Sequence, residues 1–405
     1  MYPTLYHAFL DLFGWDWPVL KLVNSFGFFV ALAFVVAAAL LRKELDRMQK
    51  MGVFKPIAFQ MIVGKKASPL DIMGQGLIGF LFGWKFLFLM FNAESLFNGP
   101  TSPQAHLFSG SGSLGMGILC ALIFGGIRWY NGMKNALPTP ENRTVELPAS
   151  EHVGAIVTAA AIGGLSGAKL FHFLEYPDEF IAFVQQPSLN AFLGGLTIYG
   201  GLIVGGLSVY LVTRMRGLSF PHIADATAPG LMLAYGIGRI GCQVSGDGDW
   251  GIPNPNPKPQ LLSWLPDWMW SYAFPNNVNG VYGARSAGYT GKLIAPEDPW
   301  PIFDGYGTYL DPAVYPTAFY ETLMASLIFA GLWALRKRWI QPGKIFALYL
   351  MANGLERFAI EKIRVNVEMD WLGLTLTQAE WISMATGLSG LALWFYVSHQ
   401  KIKPA

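Results

Sequence analysis

An arginine inside an apolar helix is the first residue of this sequence that could do chemistry. Arg239 stands in YGIGRIGCQVSGDGDWG, residues 235–251, a stretch that ends in Asp247 and Asp249. An ionisable side chain in hydrocarbon is costly, so it faces a polar cavity with a partner and counts as a functional candidate by default. A second set lies in NGLERFAIEKIR, where Asn353, Arg357, Glu361 and Arg364 fall at i, i+4, i+8 and i+11 and line one helical face. Alone, that face reads equally well as an ion pair that fixes helix packing. Together with Arg239 it offers forked donors from two helices, and a planar guanidinium grips a phosphate bidentately. A phosphate embedded in a membrane belongs to a phospholipid.

Other residues gather around this reading. In YPTAFYETL, Pro316 can open a helix, with Tyr320 and Glu321 just inside it. Tyr320 alone reads as interfacial, but a carboxylate entering an apolar helix wants a cation, and Arg239 or Arg357 could serve. GGLTIYGGLIVGGLS carries glycine pairs at 194/195, 200/201 and 205/206. Small residues let membrane helices approach closely, which accounts for the first and last pairs. Gly200 and Gly201 would also open space for a ligand beside the hydroxyl of Tyr199. Asp225, in the first turn of its helix, is explained as well by contact with that helix's own N-terminus as by function.

These side chains need membrane helices to hold them. Hydrophobic residues make up 53% of the 405, charged residues only 13%, and the mean hydropathy is +0.36, whereas soluble chains are about one quarter charged. The expected fold is therefore an all-α polytopic membrane bundle. A crossing takes about 20 mostly apolar residues, and nine stretches qualify: 19–41, 74–97, 109–128, 151–176, 191–213, 221–245, 315–335, 343–364 and 374–397. Lys and Arg collect in cytoplasmic loops. With the N-terminus outside and the C-terminus cytoplasmic, 18 basic residues lie in inner segments and three, Lys258, Arg285 and Lys292, in outer loops. The remaining Lys21, Lys85, Lys169, Arg239, Arg357, Lys362 and Arg364 fall within or at the ends of helices. A net charge of +2 gives no sign of nucleic acid as a partner. Cys120 and Cys242 provide neither a disulfide framework nor a zinc site with two ligand pairs, so no metal and no cofactor is expected.

The chain divides into an interfacial N-terminal segment (1–18), a first core helix with a cytoplasmic loop (19–72), an inserted helix pair (73–150), core helices with the glycine-rich and first arginine motifs (151–245), an outer cap (246–314) and the second arginine region (315–405). MYPTLYHAFLDLFGWDWP lacks the basic start and small-residue cleavage site of a signal peptide, so it is expected to stay in the mature protein, its aromatics at the membrane interface. The cap is far longer than an ordinary connection, and its Trp and Tyr content favours a folded lid over disorder. One internal similarity stands out: IGFLFGWKFLFLMF (78–91) beside IGGLSGAKLFHFLEY (162–176). Chance likeness between glycine-rich helices is the simpler reading; an inserted partial copy is the other.

The order of the motifs GGLTIYGGLIVGG, ADATAPGLMLAYGIGRIG, YPTAFYE and LERFAIEKIR resembles the prolipoprotein diacylglyceryl transferase family. That resemblance implies a multi-pass protein of the bacterial cytoplasmic membrane that moves a diacylglyceryl group from phosphatidylglycerol to the thiol of a lipobox cysteine in a prolipoprotein peptide. Glycerol phosphate leaves and a thioether forms. It further implies that Arg239 and Arg357 hold the departing phosphate, Glu361 orients Arg357, Arg364 sits at the outer mouth, and Gly246 and Gly251 shape the substrate loop. Tyr199 stands where the family usually has histidine, Cys242 and Ser245 where it has asparagines, Asp247 or Asp249 where it has glutamate, and Phe26 where tyrosine is common. Tyr199, Asp247 or Asp249 would then assist deprotonation of a thiol whose ordinary pKa is near 8.5. The helices at 74–128 and part of the cap are additions and could meet membrane lipids or other membrane proteins. Two other classes compete: a lipid-binding membrane subunit without activity, and a transporter with broken helices, for which no convincing inverted repeat is present.

Overall fold

Hydrophobic runs separated by Gly- and Pro-rich punctuation fold into helices throughout the computed structural model, which describes residues 1–97, 103–186, 194–280, 290–339, 341–366, 368–371 and 373–400. Outside them lie Arg285, Lys401 and Lys403 from the charge count, the start of the 191–213 stretch, and part of the cap. The longer helices are α1 (Leu5–Phe13), α2 (Ser25–Lys50), α3 (Pro69–Phe91), α4 (Leu114–Lys134), α5 (Val153–Glu175), α6 (Pro177–Gln185), α7 (Ile198–Met215), α8 (Phe220–Ser245), α9 (Thr317–Leu335), α10 (Lys344–Glu361) and α11 (Gln378–His399). Among the described residues, α2, α3, α4, α5, α7 and α9 are long and apolar enough to cross a membrane. Each of the other three expected spans is helical in α8, α10 and α11. They are less apolar because they carry Asp225, Arg239, Arg357, Glu361 and Glu380.

The all-α expectation needs one correction. Three two-stranded sheets join β1 (Ile57–Val63) to β2 (Glu141–Leu147), β3 (Thr290–Leu293) to β4 (Thr308–Asp311), and β5 (Glu368–Trp371) to β6 (Leu374–Thr377). The antiparallel register of the last pair runs from Glu368 opposite Thr377 to Trp371 opposite Leu374. The expected helix at 374–397 therefore starts four residues late, because Leu374–Thr377 alternates as a strand and Thr377 caps the helix that follows. Likewise the 19–41 helix begins only at Ser25, after a short 3₁₀ turn at Pro18–Leu22.

The chain forms two compact units. One comprises Met1–Phe29, Ala58–Glu146 and Ile240–Pro316; the other Val30–Ile57, Leu147–Arg239 and Thr317–Ala405. In the second unit, Leu41 and Leu45 of α2, Val153 and Ile156 of α5, and Ile223 and Ala226 of α8 share one core. Met232 of α8 packs with Ala325 and Leu332 of α9 and Ile345 of α10. Of the two readings of Asp225, contact with its own helix N-terminus is not the one its hydrogen bonds follow. Its carboxylate accepts the N–H groups of Gly343 and Phe346, both at 2.7 Å, and so caps α10.

Close packing of α5 on α7 depends on glycine. A Cβ on Gly200 would overlap the carbonyl oxygen of Gly167 and the side chain of Phe171, and one on Gly201 would come within 3.1 Å of the Gly164 oxygen. The gap these residues leave is thus filled by α5 rather than left open. Gly206 faces nothing within 4 Å. Gly200→Ala is therefore expected to lose about 1–3 kcal/mol by overpacking, and Gly206→Ala to stay within about 0.5 kcal/mol of the parent. Thermal unfolding in detergent reads this; equal midpoints for the two variants would contradict the packing.

In the first unit the cap folds around buried Trp250, Phe274, Leu310 and Val314, with the Trp250 and Phe274 rings 5.3 Å apart. Helix α1 docks on it through His7, which lies 4.7 Å from the Phe303 ring and 5.5 Å from Tyr306. Burial, with help from Lys21, lowers the His7 pKa from 6.5 to about 4, against the opposing pull of Asp304. The folded state therefore binds fewer protons than the unfolded state between these values, and stability of this contact falls as pH drops from about 6.5 toward 4. Amide-exchange protection factors across 5–13, which take out the intrinsic pH dependence, are expected to fall over that window; His7→Phe should flatten the dependence.

Candidate functional site

Glu321, the fifth residue of α9, is fully buried and draws three guanidinium groups to one carboxylate. Arg239 Nε lies 3.1 Å from its Oε2, Arg357 Nη1 lies 3.2 Å from Oε1, and Arg364 Nη1 also lies 3.2 Å from Oε1. Two helices and the segment after one of them position these cations: α8 carries Arg239, α10 carries Arg357, and Arg364 follows the end of α10. The Tyr235 hydroxyl donates to Glu321 Oε1 at 3.1 Å and sits 3.4 Å from Glu356, while the Arg239 guanidinium lies over the Tyr235 ring at 5.1 Å.

Glu361 forms a second centre. Its Oε2 lies 2.9 Å from Arg357 Nη2 and 4.0 Å from Arg364 Nε. Its Oε1 accepts hydrogen bonds from Asn366 and, at 2.9 Å, from the Thr377 hydroxyl. Thr377 is at the same time the N-cap of α11: its oxygen accepts the Glu380 N–H at 3.2 Å, and Glu380 returns the bond to the Thr377 N–H at 2.8 Å. Arg357 thus bridges two carboxylates with the two prongs of one fork. Its side chain is 25% exposed, against 14% for Arg239 and 10% for Arg364, so it is the most accessible of the three cations.

A buried assembly of this kind is poor evidence of stability, because desolvation offsets much of the Coulombic gain. Its chemical capacity is to present several fixed N–H donors to an anion in a low-dielectric setting, where such donors act most strongly. Tyr199, at the start of α7, is half-buried and within electrostatic range of Arg357 and Glu361. Tyr320 is half-buried, with its ring 6.1 Å from Phe319. Asn353, on the same face in sequence, donates toward Met232 Sδ at 3.9 Å and does not join the carboxylates. Tyr235, Glu356, Asn366 and Thr377 were missed from sequence. Tyr235 stands four residues before Arg239 and so on its face, and Glu356 is a charge within an apolar helix.

The end of the signature stretch belongs to the first unit. Cys242 and Ser245 are buried in the last turn of α8, and the chain then turns through Gly246 (φ +64°) and Gly248 (φ +104°), conformations that L side chains seldom adopt. This turn brings the Cys242 sulfur and a carboxylate oxygen each from Asp247 and Asp249 within 4.8 Å of one another. The thiol lies 3.7 Å from Asp249 Oδ2, and the Asp249 N–H donates to Asp247 Oδ1 at 3.3 Å. Such a trio has the donor types to hold a metal ion, a grouping that cysteine spacing alone does not display. The Gly251 N–H donates to the Tyr315 carbonyl at 2.9 Å, and the Gly246 carbonyl accepts from Val278 at 3.3 Å. Phe26 lies against the same helix, its Cα 3.3 Å from where a Gly241 Cβ would stand.

Comparison with known proteins follows this geometry. The family model for prolipoprotein diacylglyceryl transferase matches residues 113–396. A phosphatidylglycerol–prolipoprotein diacylglyceryl transferase of Corynebacterium glutamicum is 31% identical over 216 residues, covering 52% of this chain and 58% of that protein. A second, numbered 2, from Streptomyces coelicolor is 27% identical over 310 residues, covering 75% of this chain and 78% of its own length. The chain thus spans 58% of the length of the Corynebacterium relative.

Proposed function

Because the chain belongs to the prolipoprotein diacylglyceryl transferase family, we propose that it transfers a diacylglyceryl group from phosphatidylglycerol to the cysteine thiol of a lipobox peptide. The convergence of Arg239, Arg357 and Arg364 on Glu321 carries this reading. In the reaction the thiol loses its proton, the sulfur bonds to the terminal glyceryl carbon, and that carbon's bond to the phosphate oxygen breaks. The electron pair stays on glycerol phosphate. Arg239 and Arg357 neutralise that oxyanion; Glu321 and Glu361 keep the guanidinium forks aligned before lipid arrives. Tyr199, or Asp247 or Asp249, takes up the thiol proton. The chain crosses a bacterial cytoplasmic membrane nine times, N-terminus outside, with the cap on the outer face.

The test is direct. Purified protein with phosphatidylglycerol and a lipobox peptide is expected to add one diacylglyceryl mass to the cysteine and release glycerol phosphate in equal amount. No addition by folded protein under several lipid conditions would favour a lipid-binding subunit without activity, the reading that the residues at 199, 242 and 245 motivate.

A further inference from the structure

The likeness between 78–91 and 162–176 continues through the structure at one offset, 84 positions, as from Gly83 to Gly167 and Lys85 to Lys169. Helices α4 and α7 begin at Leu114 and Ile198, which keep that offset. Ser113 N–H donates to the Trp84 carbonyl at 2.9 Å, and Thr197 N–H to the Ala168 carbonyl at 3.0 Å. Lys85 Nζ donates to the carbonyls of Ser109 and Ser111 at 2.6 and 2.8 Å; Lys169 Nζ donates to that of Gly194 at 2.7 Å. A Cβ on Gly83 would overlap the Met116 oxygen, as one on Gly167 would overlap the Gly200 oxygen. Partner helix, the N–H link between the pair, the close glycine contact and one lysine acceptor, Ser111 matching Gly195 at 3.5 Å, thus recur in register. The pair α3–α4 repeats part of the geometry of α5–α7 at this one offset.

The two pairs differ in what covers one face. In α5–α7, Val153, Ile156, Val157 and Val209 pack with Leu41 and Leu45 of α2 and Ile223 of α8. Their counterparts Pro69, Ile72, Met73 and Gly125 line two adjoining cavities of about 430 and 300 Å³, which share Ile72 and Trp129. Three counterparts have lost side chains, Ala160, Val209 and Tyr210 being replaced by Gly76, Gly125 and Gly126, which deepens the face into a groove. At its mouth Lys66 replaces Ser150.

We propose that this groove is a phospholipid site, with an acyl chain along Ile72, Gly76 and Gly126 and an anionic headgroup at Lys66. Both hollows are apolar and open along the side of the helix pair, a shape along which a flexible acyl chain can lie. Trp129 stands at the lysine end, where an indole anchors at headgroup level. The proposal rests on the helix pair crossing a bilayer and is independent of the transfer reaction.

The test uses the full chain reconstituted in phosphatidylethanolamine vesicles containing phosphatidylglycerol or phosphatidylcholine with a photoactivatable acyl chain. After irradiation, labelling of 66–76 and 121–133 is expected to be about fivefold higher with the anionic probe, the factor one basic side chain carries near an anionic surface. Lys66→Gln, at an exposed position, should remove that preference. Gly126→Leu, where a Cβ meets nothing within 4 Å, should fill the groove and cut labelling by both probes about tenfold, with transfer to a lipobox peptide unchanged in both variants. Equal labelling by both probes in the parent, unchanged labelling in Gly126→Leu, or cross-linking of a protein helix in place of lipid would each overturn the proposal.

Discussion

Glu321→Gln is expected to reduce diacylglyceryl transfer at least about 100-fold and to lower stability by about 3–5 kcal/mol, the usual cost of stranding buried partner charges. The side chain is fully buried, and Arg239, Arg357 and Arg364 all lie within 3.2 Å of its oxygens. An amide keeps the shape but removes the charge that gathers them, so repulsion among the guanidinia acts unopposed at this point. Glu321→Asp separates the two consequences. It retains the charge on a shorter arm, so a melting temperature near the parent's should accompany a still impaired rate. Scanning fluorimetry in detergent gives the first quantity and mass spectrometry of the thioether product the second. A parent-like rate in Glu321→Gln would remove Glu321 from the organising role.

The second large effect is expected for Arg357→Lys: a loss of about 10²–10³ in transfer, the range for removing one well-placed donor to developing charge, with a smaller change in stability than at Glu321. Arg357 reaches Glu321 with Nη1 at 3.2 Å and Glu361 with Nη2 at 2.9 Å, leaving the fork aimed by both acids. An ammonium is a point charge and cannot span the two carboxylates while presenting a planar pair of donors to phosphate. Arg239→Lys should also lose rate, because an ammonium replaces the planar fork held by Glu321. Measuring kcat and KM over a range of phosphatidylglycerol fractions checks this: a rise in KM with unchanged kcat would mean that the arginine only captures lipid.

Much of this site was legible because charge in an apolar helix is conspicuous. Arg239, Arg357, Glu361 and Arg364 declare themselves by type and spacing, and Glu321 by its want of a cation. What the sequence left open was how many cations would answer. Arg239 and Arg357 were alternatives for Glu321, and the structure brings both, with Arg364 as well. Glu356 carried the same signal, a charge in an apolar helix, but lies off the spacing that Asn353, Arg357 and Glu361 share, and its link to the cluster runs through Tyr235. The hairpin of β5 and β6 escaped because four-residue strands are too short to outweigh an adjoining helical pattern. The internal likeness was visible only as a dozen residues. The rest of the likeness lies in contacts that recur at the same offset, which the loops between do not display, since loops vary more freely than the helices they join.

Thr377 makes one further consequence plain. Its hydroxyl oxygen ends a strand of the exposed hairpin, starts α11 and holds Glu361, which in turn holds Arg357. Two contacts therefore run from the first turn of α11 to the most accessible cation of the cluster, so the start of one helix and the aim of Arg357 depend on a single hydroxyl.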